Sequence, residues 1–301
     1  MVSLKVKLAN LKLRNPTILA SGIFGFTLPL LKRAYDEGAG AVISKSLGLT
    51  AREGYKNPTI VKVDCGYVNA IGLSNPGYEE FYRELVEFKE EFDLIVSIFA
   101  EDEEGFKTIV GKLDKSMVRA FELNLSCPHV EKVGSEIGED KELVYKIVKA
   151  CKRVSKKPLF VKLPPLPSSL LIEVALAAQE AEADGITAIN TIKALVIDSE
   201  LGKPILSNKF GGLSGPALKP IALRCVYELY EAINIPIIGC GGISNGKDAL
   251  EFLLAGAKAF QIGTALAFKD LSIFKDICFE ISNYLERKGF KELEDIVGRA
   301  H

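Results

Sequence analysis

Short, nearly continuous apolar runs recur along the chain at Thr17–Ser21, Ala41–Ser46, Leu94–Ala100, Met117–Ser126, Leu159–Leu163, Gly185–Thr191, Pro236–Gly241 and Ala259–Gly263. Runs such as Leu94-Ile-Val-Ser-Ile-Phe and Pro236-Ile-Ile-Gly are almost free of polar residues, as strands covered on both faces must be. Between the runs, apolar residues fall at helical spacing over Tyr78–Glu91, Lys141–Val154, Ser169–Glu182, Leu218–Ala232 and Asp248–Ala255. Eight strands alternating with helices predict an α/β fold, a closed parallel (β/α)8 barrel of the TIM type. An open, doubly wound sheet is the rival. Ahead of the first run, residues 4–8 and 11–13 alternate apolar and charged around Ala9-Asn10, which predicts a short hairpin closing the bottom of the core.

The intervals after the second, fourth and sixth strands are roughly twice as long as the others, and the excess precedes the next helix. Residues 47–77, 127–139 and 192–216 are therefore predicted as long loops at the carboxyl ends of strands, the face on which barrels keep their chemistry. Glu131–Glu139 is polar and holds Gly134 and Gly138, so a mobile loop is expected there rather than a packed element. No Pro/Gly/Ser-rich linker divides residues 1–301, which reads as one domain with a decorated top face.

Composition narrows the classes. The chain is 48% hydrophobic and 26% charged with a formal net charge of −1, so no field draws it to nucleic acid or an acidic membrane. Six widely spaced cysteines without a C-x-x-C pair imply reduced thiols in the cytoplasm, and with only two histidines no metal site is expected. Lys5, Lys7, Lys12 and Arg14 interrupt any secretory leader, and no apolar run is long enough to span a bilayer.

Candidate chemistry collects at strand ends. In Ala120-Phe-Glu-Leu-Asn-Leu-Ser-Cys-Pro-His-Val130, Leu123 and Leu125 alternate with Asn124 and Ser126 before Pro128 stops the strand. That places Asn124 and Cys127 at an open end, where Cys127 is either a reacting thiol or a small buried cysteine. Ile238-Gly-Cys-Gly-Gly-Ile-Ser244 and Ile262-Gly-Thr-Ala265 follow strands seven and eight, where glycine lets backbone N–H groups approach a phosphate. Lys45 and Lys162 end apolar runs; a buried ammonium needs an anion or strong acceptor, and both suit a flavin whose reduced ring is anionic. Asn69, Asn124 and Asn190, with the Thr191 hydroxyl, offer the donors and acceptors that a small imide or amide ring requires.

These strings resemble the family-1 dihydroorotate dehydrogenases, FMN-containing barrels of pyrimidine biosynthesis, over residues 3 to 290 or so. The resemblance is carried by Ala20-Ser-Gly22, Ser44-Lys-Ser46, Asn69-Ala-Ile-Gly-Leu73, Asn75-Pro-Gly77, Asn124-Leu-Ser-Cys-Pro128, Val161-Lys-Leu163, Asn190-Thr191, Gly211-Gly-Leu-Ser-Gly-Pro216, Gly241-Gly-Ile243 and Gly263-Thr264. It implies Cys127 as the base at C5 of dihydroorotate, while hydride leaves C6 for the flavin. It implies a substrate site of Lys45, Asn69, Ala70, Ile71, Gly72, Leu73, Asn124, Asn190 and Thr191. It implies an FMN site of Ser21, Lys45, Ser46, Asn124, Lys162, Ile189, Gly215, Gly241, Gly242, Gly263 and Thr264. The stretch from Gly211 to Arg224 looks most like the NAD-linked type (1B), in which a homodimer of this subunit joins FAD/[2Fe–2S] subunits in a heterotetramer. The chain carries no cysteine cluster or strand–GxGxxG–helix unit, so FAD, the cluster and the NAD site would lie on that partner.

Two positions depart from the family. His129 follows Cys-Pro where asparagine is usual, and strand three offers Ser97 where the family often has an asparagine near the flavin. The alternatives are a fumarate-linked type without a partner, the flavin barrel of a dihydropyrimidine dehydrogenase, a flavin-free sugar-phosphate barrel, and a non-catalytic electron-transfer scaffold.

Overall fold

The computed structural model describes residues 2–125 and 135–301. Parallel strands β1 Thr17–Leu19, β2 Ala41–Ile43, β3 Leu94–Ile98, β4 Ala120–Asn124, β5 Leu159–Leu163, β6 Gly185–Ala188, β7 Ile237–Cys240 and β8 Ala259–Ile262 form a closed barrel. Each pairs with the next, and Phe260, Gln261 and Ile262 of β8 return to Thr17, Ile18 and Leu19 of β1. That last pairing excludes the open sheet. Every residue of β3, β4 and β5 is buried, the burial that their near-continuous apolar sequence requires.

Helices cover the barrel at Leu28–Asp36, Tyr78–Glu87, Glu103–Leu113, Lys141–Lys152, Ser168–Glu180, Lys219–Ala232, Gly246–Leu254 and Ile273–Lys288. Local chemistry sets several of their ends. Asp102, Asp140 and Asn245 cap their helices by accepting from Gly105, from Glu142 and Leu143, and from Asp248 backbone N–H groups. Gly289, at φ 78°, ends the last helix in the left-handed region. Gly239 lets the helix Gly246–Leu254 lie close on β7, because a Cβ there would sit 2.5 Å from the Phe252 ring. Phe252 is fully buried in the main core, so Phe252→Ala removes about 3–5 kcal/mol of packing. No helix among the described residues is long and apolar enough to cross a membrane.

The hairpin forms as expected, Val6–Leu8 against Leu11–Leu13, and all four flanking apolar side chains join the main core. The long segments differ from expectation. Residues 47–77 supply strands Ile60–Val63 and Gly66–Asn69, and residues 192–216 supply Ile192–Leu195 and Phe210–Ser214. These make one antiparallel sheet in which Asn69, Val68 and Tyr67 pair with Gly212, Leu213 and Ser214. Backbone groups left open in either excursion are closed by the other. Val68, Ala70 and Leu206 form a small core of their own beneath that seam. The loop expected over Glu131–Glu139 is corrected at its end: Ser135–Glu139 is helical. Ile137 is buried, and Gly138 comes so near Leu125 that a Cβ would lie 2.8 Å from its carbonyl. A hydrophobic anchor and close backbone packing outweigh the polar composition there.

Candidate active site

The carboxyl ends of the barrel strands and the four-stranded sheet enclose a cavity of about 450 Å³. The apolar runs read from the sequence overshoot the barrel ladder, and the overshoot builds this space: Ala20-Ser21 after β1, Lys45-Ser46 after β2, Ile189-Asn190-Thr191 after β6.

One end of the cavity is a glycine corner. Gly215, Gly241 and Gly242 have φ of 104°, 141° and 73°, all in the region that favours glycine. A Cβ on Gly241 would lie 2.7 Å from Ala222, and one on Gly242 2.9 Å from the Gly215 carbonyl. Gly263 and Thr264 face the same space from β8, and the Thr264 hydroxyl donates to Ser214 at 2.8 Å. Behind the corner, Asp248 accepts from the Ser244 N–H at 3.0 Å and the Ser244 hydroxyl at 2.8 Å, and meets the Lys219 ammonium at 2.7 Å. Burial pushes the Asp248 carboxyl up, but Lys219 and Ser244 outweigh it and hold the group below the usual carboxylate range. A backbone-lined corner braced from behind in this way fits a phosphate.

The floor is charged. Lys162 on β5 is buried, donates to Gln261 Oε1 at 2.9 Å and lies 3.5 Å from Glu122 Oε1. Burial pulls its ammonium down, yet the Glu122 carboxylate more than offsets this and the group stands above the usual lysine value. Lys45 contrasts with it. Its ammonium lies 5.4 Å from the Phe26 ring centroid and has no ion pair or side-chain hydrogen bond among the described residues. Burial alone holds it below the usual lysine value. A half-buried cation without a counter-charge is a place for an anion.

Across the top of the barrel runs a chain of hydrogen bonds. The Thr191 N–H donates to Asn190 Oδ1 at 2.7 Å, the Asn190 amide to Asn124 Oδ1 at 3.3 Å, and the Asn124 amide to the Ser46 hydroxyl at 3.0 Å. Ser46 is 2.9 Å from the Ser97 hydroxyl, so Ser97 on β3 ends a chain that links four strands or their extensions. Ser21 donates to the Ser44 carbonyl at 2.9 Å. Asn69 donates to the Gly212 carbonyl at 3.3 Å from the cover sheet, while Ile71, Gly72 and Leu73 face the cavity beside it. Buried Asn75 shapes that turn, accepting from Gly48 and Gly77 and donating to Leu73.

Ser21, Lys45, Ser46, Asn69, Ile71, Gly72, Leu73, Asn124, Lys162, Ile189, Asn190, Thr191, Gly215, Gly241, Gly242, Gly263 and Thr264 thus border one space. Ala70 does not: it is fully buried against Val68 and Leu206. Cys127 and His129 lie outside the described residues. Sequence reasoning missed Glu122, Gln261 and Cys240, which also line the cavity, and the Tyr67–Phe268 ring pair near it, with centroids 5.4 Å apart. For Glu122 a signal existed: it is two residues from Asn124 and so shares that residue's face of β4.

Comparison with known proteins identifies the family and the fold. A family model described as dihydroorotate dehydrogenase matches residues 3–285. The chain is 52% identical over 299 residues to the catalytic subunit of dihydroorotate dehydrogenase B (NAD(+)) from Pyrococcus furiosus, covering 99% of each. It is 45% identical over 303 residues to the protein of the same name from Methanocaldococcus jannaschii, covering 99% of this chain and 98% of that one. The fold matches the crystal structure of DHODH in complex with ferulenol from Eimeria tenella with a TM-score of 0.86, at 23% identity, over 99% of this chain and 89% of that one. With the match spanning nearly its whole length, the chain belongs to the dihydroorotate dehydrogenase family.

Proposed function

We propose that the chain, as a single FMN-binding unit over residues 1–301, oxidises (S)-dihydroorotate to orotate in pyrimidine biosynthesis. The observation that carries this reading is Lys45, a half-buried cation lacking a counter-charge among the described residues, in a cavity that also holds a glycine corner and an asparagine chain. Dihydroorotate is a carboxylate on a ring of amide groups, so it matches a cation beside amides. The family is flavin-dependent in general, and the donor set fits FMN. Gly215, Gly241, Gly242, Gly263 and Thr264 would hold its phosphate, and Ser21, Lys45, Ser46, Asn124, Lys162 and Ile189 its ring.

When bound, FMN supplies the acceptor for the hydride that leaves C6 of the substrate. Asn69, Asn124, Asn190 and Thr191 orient the substrate ring, and Lys45 draws its carboxylate. Ile71 and Leu73 add apolar surface that excludes water. Cys127 takes the proton from C5; this role rests on the family resemblance, and an unperturbed thiol is only a few per cent ionised at neutral pH. Positioning therefore carries much of the rate.

The relatives named above are NAD-linked catalytic subunits, which supports a partner subunit here too. The proposed assembly is a cytoplasmic homodimer of this chain joined to FAD/[2Fe–2S] subunits that pass electrons to NAD. The test is direct. The purified protein should be yellow and bleach when dihydroorotate is added without oxygen, and orotate should compete where uracil does not. Cys127→Ala should keep FMN but bleach at least about 10²-fold more slowly. A colourless protein, or one that dihydroorotate leaves yellow, would overturn the reading.

A further inference from the structure

Glu122 is fully buried on β4, and the reaction proposed above gives it no task. Its Oε2 accepts from the Thr187 hydroxyl at 3.1 Å and from the Gln261 side-chain amide. Its Oε1 accepts no hydrogen bond among the described residues and lies 3.5 Å from the Lys162 ammonium. Gln261 in turn accepts from Lys162 at 2.9 Å. The amide is clamped at both ends by charge: reversing it would set its NH2 against an ammonium and its oxygen against a carboxylate. Glu122, Gln261 and Lys162 all border the cavity, and Thr187 braces the carboxylate from β6.

Stability alone does not account for this arrangement, since a buried ion pair is often matched or bettered by apolar residues of equal volume. Its effect is on the cavity. Without Glu122, Lys162 would present a full positive charge to whatever lies above it, or would lose its proton. With Glu122, the ammonium keeps its proton and its position, while the Lys162–Glu122 pair as a unit is neutral. Burial pushes the Cys240 thiol up, so the carboxylate is the counter-charge at this point of the floor.

We propose that Glu122 is a positioning residue that fixes Lys162 through Gln261 and, by offsetting its charge, lowers the reduction potential of the bound flavin. The inference rests on the FMN reading above. Two charges 3.5 Å apart in a protein interior interact by several times the thermal energy. Removing Glu122 therefore leaves the Lys162 charge uncompensated towards the cavity, and even a fraction of that energy moves a redox equilibrium there by about tenfold.

The experiment is a two-electron redox titration of the flavin in the holoenzyme at pH 6, an acid condition that favours the Lys162 ammonium in wild type and variants alike. Glu122→Gln should favour reduction by at least about tenfold, a rise of about 30 mV. Thr187→Val, a same-size change outside the cavity lining, removes one donor to the carboxylate, leaves its charge less offset and should lower the potential, by about twofold or more. Thermal melting and FMN content verify that each variant is folded and loaded. Unchanged potentials in a yellow, folded Glu122→Gln protein overturn the proposal, as does an unchanged Thr187→Val protein should Glu122→Gln not fold. A wild-type protein without FMN would instead overturn the function from which the proposal starts.

Discussion

The Asn124 side chain donates to the Ser46 hydroxyl at 3.0 Å, so an amide at the end of β4 is held by a residue just past β2. Both side chains are buried, and removing the acceptor takes this hydrogen bond from the amide. Ser46→Ala should therefore cost about 0.5–1.5 kcal/mol and lower the melting temperature by about one to three degrees. Because the same amide is assigned to the substrate, the orotate dissociation constant should rise as well, by about tenfold. Calorimetric melting and flavin-absorbance titration measure the two effects. A variant that melts lower yet binds orotate as the wild type does would take Asn124 out of the substrate site.

Burial holds Lys45 below its usual value of 10.5. In the ligand-free protein the unfolded state then binds more protons, so this residue's contribution to stability rises as pH climbs through the folded value towards 10.5. An anionic ligand reverses the preference by favouring the ammonium. Orotate should bind tightest below the Lys45 value of the free protein and more weakly above it, with proton uptake in between. Calorimetry in buffers of different ionisation enthalpy reads that uptake. Lys45→Met should abolish it and weaken binding by at least about tenfold.

Asp248 is held below its usual value of 3.8. A depressed carboxylate contributes stability that is fully present above the unfolded value and is lost as pH falls through the folded one. Asp248→Asn should destabilise the protein by about 1–3 kcal/mol at pH 7, with the gap to wild type closing below pH 3.8. Denaturant unfolding across that range gives the curve, and a gap constant with pH would mean that the side chain acts through shape alone.

Burial pushes the thiols of Cys151 and Cys278 up to about 12 and that of Cys225 up to about 11. The folded protein should leave all three unmodified by iodoacetamide at pH 8, whereas exposed Cys65 should label readily. Peptide mass mapping after a timed reaction tests this. Rapid labelling of Cys151 would mean that the helix Lys141–Lys152 opens locally.

The strands were legible because strands buried on both faces have to be apolar nearly throughout, as Leu94–Ile98 is, whereas closure into a barrel rather than an open sheet is fixed by the pairing of β8 with β1. The cover sheet was not. Ile60–Val63 alternates in burial as a half-exposed strand does, but periodicity says nothing of which strand it meets, and the seam joins Asn69 to Gly212 across 143 residues of chain. Lys45, Asn124 and Asn190 were found because each is a polar residue ending an apolar run. Glu122 lies inside its run, where a charged residue is easily passed over, and its partners Thr187 and Gln261 come from strands far along the chain. The small helix Ser135–Glu139 was hidden by composition, since one buried isoleucine anchors it.

The seam between Gly66–Asn69 and Phe210–Ser214 makes the two excursions a single inheritable unit. Shortening one would strand the other's backbone in water or against a stranger, so grafts between sister barrels should succeed only when both segments travel together. Anyone redesigning what enters this mouth has to treat residues 60–69 and 192–214 as one swappable cassette.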